Sequence, residues 1–439
     1  MSYVKREFYA VRTTHLNVWW NIPATFTANY NLGPMKISLS EFTRLLPIAK
    51  RRFGERLTHY VQKIFNSDKL VKDVFGTKRE RKALLCYLPE AFKGNTLPKY
   101  HSNFTECHTA AEALDKLGYS VDCASRNKTG IDYSRYDVVL GINCPSFAAS
   151  FTSNKKTSPL RIFYSVGAHT FYNFRATAER NKEFFERHNC WLLPSYHYVP
   201  GNGMNYYMSQ LSDAVISLGD SFLLQQASNE GESTEKVKAL QAFYFKVCEP
   251  DEKKDFTQCR NNILWFGSSG MMHKGLDIAI DFALEHPQFT LHICGGSRQE
   301  SEFWGLYMPK IKAAENIVMH GFVDIESKEF ADTLANCGIL LNPSLSESGA
   351  VSVLNVLGNG ALLPVYSKGT GLDIANVGVE VSEVTYANFK NALLAVAGLP
   401  TEIIEQKAWE AHRLVKEKYT LENYRESMYK HIKDIIEKK

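Results

Sequence analysis

Residues 342–373 read NPSLSESGAVSVLNVLGNGALLPVYSKGTGLD and hold the densest set of groups that could do chemistry. Glu347 is followed by Ser348, Gly349 and Ala350, three residues too small to keep a ligand away from the backbone. The apolar pattern that follows predicts a helix, and its first turn offers N–H groups with no intrahelical partner at the positive end of the helix dipole. That arrangement favours a phosphate. A second candidate is Lys274, near the end of the loop Gly267–Ser268–Ser269–Gly270–Met271–Met272–His273–Lys274–Gly275. Its ammonium can make a strong charge-assisted contact with the same anion. Two bland readings stand beside these: Glu347 as a helix-capping carboxylate, and Lys274 as a solvated loop lysine.

The elements around these residues must bring them together. An apolar run over 338–341 ends in the turn Pro343–Ser344, and after the helix come Gly358–Asn359–Gly360, a strand over 361–365 and the loop 368–371. Loops at the carboxyl ends of adjacent parallel strands form the crevice where open α/β sheets bind ligands. Upstream, strands at 263–266, 289–294 and 317–319 alternate with helices at 276–285, from 302, and at 327–334, a second βαβ series. An earlier series has strands at 83–88, 119–124, 136–141, 161–166, 190–193 and 214–218 and helices at 103–117 and 177–188. Between them residues 227–260 turn polar and charged, as an interdomain connection would. The chain therefore predicts an α/β protein with two Rossmann-like, doubly wound domains facing a cleft. The boundaries expected are a basic extension over 1–81, a first domain over 82–255 completed by helices over 416–439, and a second domain over 256–415.

At 439 residues with 44% hydrophobic content the chain is long enough for two cores. Nine cysteines with no Cys-x-x-Cys pair read as reduced thiols rather than a disulfide framework or zinc site. No apolar run reaches the length of a membrane span and the N-terminus lacks a secretory apolar core, so a cytoplasmic protein is expected. Residues 1–82 carry sixteen Lys and Arg against six Asp and Glu, so in a chain of net charge +4 the remainder is net negative. Within that basic part Ser38–Leu39–Ser40–Glu41 fits a capping box, and Phe42, Leu45, Leu46, Phe53, Leu57, Tyr60, Val61, Ile64 and Phe65 recur at helical spacing. Two readings stand: a helix lying on an anionic membrane at its inner face, or one packed on the first domain. The charge of the remainder does not suit nucleic acid.

The second series resembles retaining glycosyltransferases of the GT-B fold, the large family-4-like group. Pro343, Ser344 and Glu347 match its Pro-Ser-x-x-Glu element, Lys274–Gly275 its Lys-Gly loop, and Gly321–Phe322–Val323 its Gly-Phe-Val element, in order and at similar spacing. Two positions depart: Ser268 stands where the group has Arg, and Asn355 where it has a second Glu. The first domain is similar only in outline. The resemblance implies transfer of a sugar from a nucleotide-sugar donor, with retention, onto a glycan or lipid-linked glycan. Glu347, His169 and Lys274 would be the catalytic residues. Gly94, Gly267, Ser268, Lys274, Glu347, Ser348, Gly349, Ala350 and Asn355 would meet the donor, Asn355 at the ribose. His169 follows a buried strand at a carboxyl end facing the cleft; the alternative is a hydrogen-bonded loop residue. There is no Asp-x-Asp to hold a divalent cation, and lysine plus a helix terminus can take its place, so neither metal nor cofactor is expected. Other GT-B activities, a phosphorylase or a sugar-nucleotide epimerase, and a non-catalytic nucleotide- or glycan-binding protein are the alternatives.

Overall fold

The computed structural model describes residues 10–13, 16–19, 69–94, 96–99, 101–152, 158–192, 204–229, 234–296 and 300–438. Residues 1–67 separate from 68–439 as a unit of their own. In the first unit β1 (Ala10–Thr13) and β2 (Leu16–Trp19) pair antiparallel. The amphipathic helical pattern over 38–65 lies outside the described residues.

The described residues of the second unit hold two sheets. The first has seven strands: β3 (Leu70–Val71), β4 (Lys82–Tyr87), β5 (Ser120–Ser125), β6 (Val138–Gly141), β7 (Leu160–Ser165), β8 (Ala214–Leu218) and β9 (Val237–Leu240), in the order β3-β5-β4-β6-β7-β8-β9. All pairings are parallel except that of β3, which lies antiparallel on the edge of β5 with Leu70 opposite Ala124. The sheet thus takes up residues ahead of Lys82, where the sequence pattern begins. Strands β4, β6 and β8 are buried along nearly their whole length, as the continuous apolar runs require of strands covered on both faces.

The second sheet is wholly parallel: β10 (Asn262–Gly267), β11 (Thr290–Gly295), β12 (Ile317–Gly321), β13 (Ile339–Asn342), β14 (Leu363–Ser367) and β15 (Val379–Val381), in the order β12-β11-β10-β13-β14-β15. The chain winds outward from β10 through β11 to β12, then returns to the other side of β10 as β13. The switch point falls between β10 and β13, so the crevice expected at their carboxyl ends is lined by the loop carrying Lys274 and the turn carrying Glu347.

One expected strand does not form. Residues 190–192 are irregular, because Asn189 closes the preceding helix in a left-handed conformation (φ 50°) and Leu192 then packs into the core of the second sheet. The free edge of β7 is taken by β8 instead. Two further segments join the sheets. The helix Leu421–Glu437 lies on the helix Asn103–Lys116, where the Tyr424 and Tyr164 hydroxyls meet at 3.0 Å above the buried Glu106. The helix Thr170–His188 starts at the end of β7 and runs onto the second sheet. There the fully buried Arg180 pairs with Asp277, and Arg187 pairs with Asp277 and Asp281.

Candidate active site

The Glu347 turn follows β13 and is held from three directions. Its own domain supplies His273, whose Nε2–H donates to the Ser346 carbonyl at 2.6 Å, while Leu345 N donates to the His273 carbonyl at 2.8 Å. The Gly369 carbonyl, in the loop after β14, accepts the Glu347 N–H (2.8 Å), and the hydroxyl of Ser367 at the end of β14 donates to the Ser344 carbonyl. From the first sheet's side, the Tyr172 hydroxyl reaches the Leu345 carbonyl at 3.4 Å, and Asn173 Oδ1 accepts from the Ser346 hydroxyl at 3.1 Å. A turn this tightly held presents its carboxylate in one place.

Lys274 comes from the other side of the switch point. The carboxylate of Glu300 anchors its loop by accepting the N–H groups of Gly270 (2.6 Å) and Met271 (2.9 Å). The Trp265 indole N–H donates to the Lys274 carbonyl at 3.0 Å. Gly275 then turns the chain at φ 63°, and a Cβ there would stand 2.5 Å from Pro343. Only glycine allows the two loops to approach so closely. The result is an ion pair, Lys274 Nζ to Glu347 Oε1 at 2.5 Å, with the Ser344 hydroxyl donating to the same oxygen at 3.0 Å.

Burial pushes the Glu347 pKa up, but the Lys274 charge and the hydrogen bonds from Lys274 and Ser344 outweigh it and hold the carboxylate below its ordinary value. Glu347 is therefore an anion at neutral pH. Burial pulls the His273 pKa down, against the Glu347 charge, so this imidazole is neutral.

The helix start differs from the sequence expectation. Gly349 (φ 73°) and Ala350 (φ 33°, ψ 60°) are both left-handed, and the helix is Val351–Asn359. The Gly349 N–H donates to the Thr370 carbonyl at 3.1 Å, so it is committed within the protein. The first-turn donors with no intrahelical partner begin at Ala350. A left-handed alanine costs roughly 1–2 kcal/mol, a local strain sited where the two loops meet. Beside it the Ser348 hydroxyl is buried with no hydrogen-bond partner among the described residues, a polar group whose satisfaction a bound anion would supply.

Asn355 lies away from this group. Its Oδ1 accepts the Phe245 N–H at 2.8 Å, on the buried face of the helix. One turn on, Asn359 accepts from Val247 N (2.8 Å) and Cys248 N (3.1 Å) and donates to the carbonyls of Phe245 and Asn355, each at 2.8 Å. The pair fastens the connection after β9 to the second domain.

The remaining candidates are spread around the cleft. Gly267 closes β10, where a Cβ would meet the Trp265 ring at 2.7 Å and the Lys274 chain at 3.2 Å; Ser268 is exposed in the same loop. Gly94 makes a left-handed bend after β4 with open space around it. His169 caps the helix Thr170–His188, its Nδ1 accepting the Phe171 N–H at 3.3 Å and its own N–H donating to the Gln226 side chain at 3.2 Å. Its ring packs near Phe171 and Tyr206, and His169 lines a pocket together with Phe163, Ser165, Ser209, Val215 and Ser217. Burial, and after it the Lys274 charge, lower the His101 pKa. Sequence reasoning passed over Tyr172, Asn173, His273 and Glu300, none of which sits in a recognisable spacing. Among the described residues no cluster of three His, Cys, Asp or Glu side chains could hold a metal ion. No described helix is long and apolar enough to cross a membrane.

No family model matches the sequence, and no curated protein does. Solved structures do. Sucrose-phosphate synthase from Thermosynechococcus elongatus aligns at TM-score 0.59 and 11% identity, over 82% of this chain and 100% of that one. The chain has the GT-B fold. Anabaena HepE in complex with UDP and glucose aligns at TM-score 0.53 and 11% identity, over 81% of this chain and 100% of that one. WaaG, a glycosyltransferase involved in lipopolysaccharide biosynthesis, aligns at 0.51 and 13%, over 79% and 98%. At such identities it is the GT-B fold that is shared. The Lys274–Glu347 pair stands at the switch point of its second domain.

Proposed function

We propose that the protein is a glycosyltransferase that moves a sugar from a nucleotide-sugar donor, with retention, onto a glycan or lipid-linked glycan acceptor. The observation that carries the reading is the Lys274–Glu347 pair at the carboxyl ends of β10 and β13, beside the strained helix start and the Ser348 hydroxyl, which has no hydrogen-bond partner among the described residues. As the bond from the anomeric carbon to the diphosphate breaks, negative charge grows on the departing oxygen and the sugar becomes oxocarbenium-like. Lys274 and the N–H groups from Ala350 onward take the first charge, and fixed donors of this kind commonly lower a barrier by several kcal/mol. Glu347 sits beside the sugar, where its negative charge favours the cationic centre and its oxygens hold a hydroxyl. His169 faces the reacting sugar from the first domain. We propose further that the basic residues of 1–82 bind an anionic membrane surface rather than pack on the first domain; sedimentation with acidic vesicles at low and high salt tests this, and equal, salt-insensitive binding with and without that segment rejects it.

A thermal-shift panel of UDP-, GDP-, ADP- and CMP-sugars tests the function. A donor at a hundred times its Kd adds about 2.7 kcal/mol of stability, and the sugar that shifts the protein should then release its nucleotide slowly without acceptor, in EDTA as well as in buffer. No shift with any donor rejects the reading. Release that stops in EDTA and returns with Mn²⁺ or Mg²⁺ replaces the lysine-and-helix account with a metal one.

A further inference from the structure

We propose that Asn173 is a positioning residue that fixes the Glu347 turn relative to His169, an inference that rests on the function proposed above. The helix Thr170–His188 begins with His169 as its cap and belongs by chain order to the first domain, yet its first turn touches the Glu347 turn itself. Asn173 Oδ1 accepts from the Ser346 hydroxyl at 3.1 Å and from Thr177 at 3.3 Å, and the neighbouring Tyr172 hydroxyl donates to the Leu345 carbonyl. Asn173 N in turn donates to the His169 carbonyl at 2.9 Å. One residue thus bonds the backbone of His169 and the residue directly before Glu347.

The rest of the helix keeps this contact from being incidental. About two turns on Arg180 pairs with Asp277, and about four turns on Arg187 pairs with Asp277 and Asp281, all on the helix Leu276–Glu285 that directly follows the Lys274 loop. The side chains of Arg180 and Asp277 are wholly buried, and shifting the helix would strand those charges at a cost far above that of a surface contact. Glu183 extends the lock by accepting the Tyr386 N–H at 3.1 Å. The helix is a strut, anchored at one end by buried ion pairs to the element that follows Lys274 and at the other by Asn173 to the turn that holds Glu347. Ser346 is held on its far side by His273, so removing the Asn173 contact frees the turn on one side only. Such a change misplaces the carboxylate without unfolding the site.

The test is a double-mutant cycle with Asn173→Ala, Ser346→Ala and the double variant, reading kcat and KM for acceptor-free nucleotide release from the donor sugar found in the panel, and the melting temperature of each. Each single variant is expected to lose about tenfold or more in kcat with KM for the donor and the melting temperature nearly unchanged. The double variant should be no slower than the singles, since both remove the same bond. Unchanged kcat in Asn173→Ala, or losses that multiply in the double variant, overturns the proposal while leaving the functional reading in place. Failure of the wild-type chain to release nucleotide from any sugar of the panel overturns the functional reading, and the positioning role with it.

Discussion

Lys274 and Glu347, 73 residues apart in the chain, neutralise each other at the switch point of the second sheet at 2.5 Å. Among the described residues this is the one ion pair that either side chain makes, and the lysine is one-seventh exposed and the glutamate one-fifth. A donor diphosphate entering beside the helix start would share the lysine and leave Glu347 facing the sugar.

Removing Lys274 should therefore do two separable things. Lys274→Ala strands the Glu347 carboxylate, and because the pair keeps some contact with water the loss of stability should be about 1–3 kcal/mol rather than the larger value of a fully buried pair. Combining it with Glu347→Gln should recover part of that loss in urea unfolding. If Lys274 takes charge that is greatest in the transition state, kcat falls more than donor affinity does. An equal loss in both would make it a ground-state phosphate ligand only.

Asn355 and Asn359 are expected to matter for stability and not for the donor. Asn359→Ala leaves the N–H groups of Val247 and Cys248 without their acceptor, at about 1–3 kcal/mol each where they stay dry. Asn355→Ala strands only the Phe245 N–H and should cost less. Donor Kd by calorimetry should be unchanged in both; a tenfold weaker Kd in Asn355→Ala would return that residue to the ribose.

The switch point was legible in the sequence because its signals are local. Apolar runs followed by Gly267–Gly275 and by Pro343–Gly349 announce strand, loop and helix without reference to distant contacts, and the structure brings Lys274 and Glu347 together. What escaped depends on partners far along the chain. The Asn355 side chain is claimed by Phe245, and the Gly349 N–H by Thr370, neither of which any spacing reveals. The same holds for Asn173 and Tyr172, whose role exists only once the Thr170–His188 helix is laid on the second sheet. The apolar run over 190–193 suits a strand, yet the left-handed Asn189 closes the preceding helix and residues 190–192 are irregular.

Stability should fall on acidification in two stages. His273 is buried neutral with its pKa lowered, so the unfolded chain takes up a proton that the folded one refuses. Its contribution is complete above about pH 6.5 and is lost as pH falls toward the folded-state value. Glu347 has a depressed pKa, so its contribution is complete above about pH 4.3 and is lost as pH falls through the folded-state value. Urea unfolding from pH 7.5 to 3.5 should show both, with a slope of at most about 1.4 kcal/mol per pH unit for each group. His273→Gln should flatten the first stage and Glu347→Gln the second; unchanged slopes would mean other groups carry the acid sensitivity.

The turnover of Glu347→Gln tests the catalytic role of this carboxylate most directly. The substitution keeps the size and much of the hydrogen bonding of the side chain and removes the charge beside a sugar that turns cationic. With the donor identified by thermal shift, kcat for nucleotide release should fall about 100-fold or more, corresponding to roughly 3 kcal/mol of transition-state stabilisation, in a protein whose unfolding free energy at pH 7 drops by no more than about 1–2 kcal/mol. Wild-type turnover with lowered stability would contradict it, and would make Glu347 a structural acid in the turn.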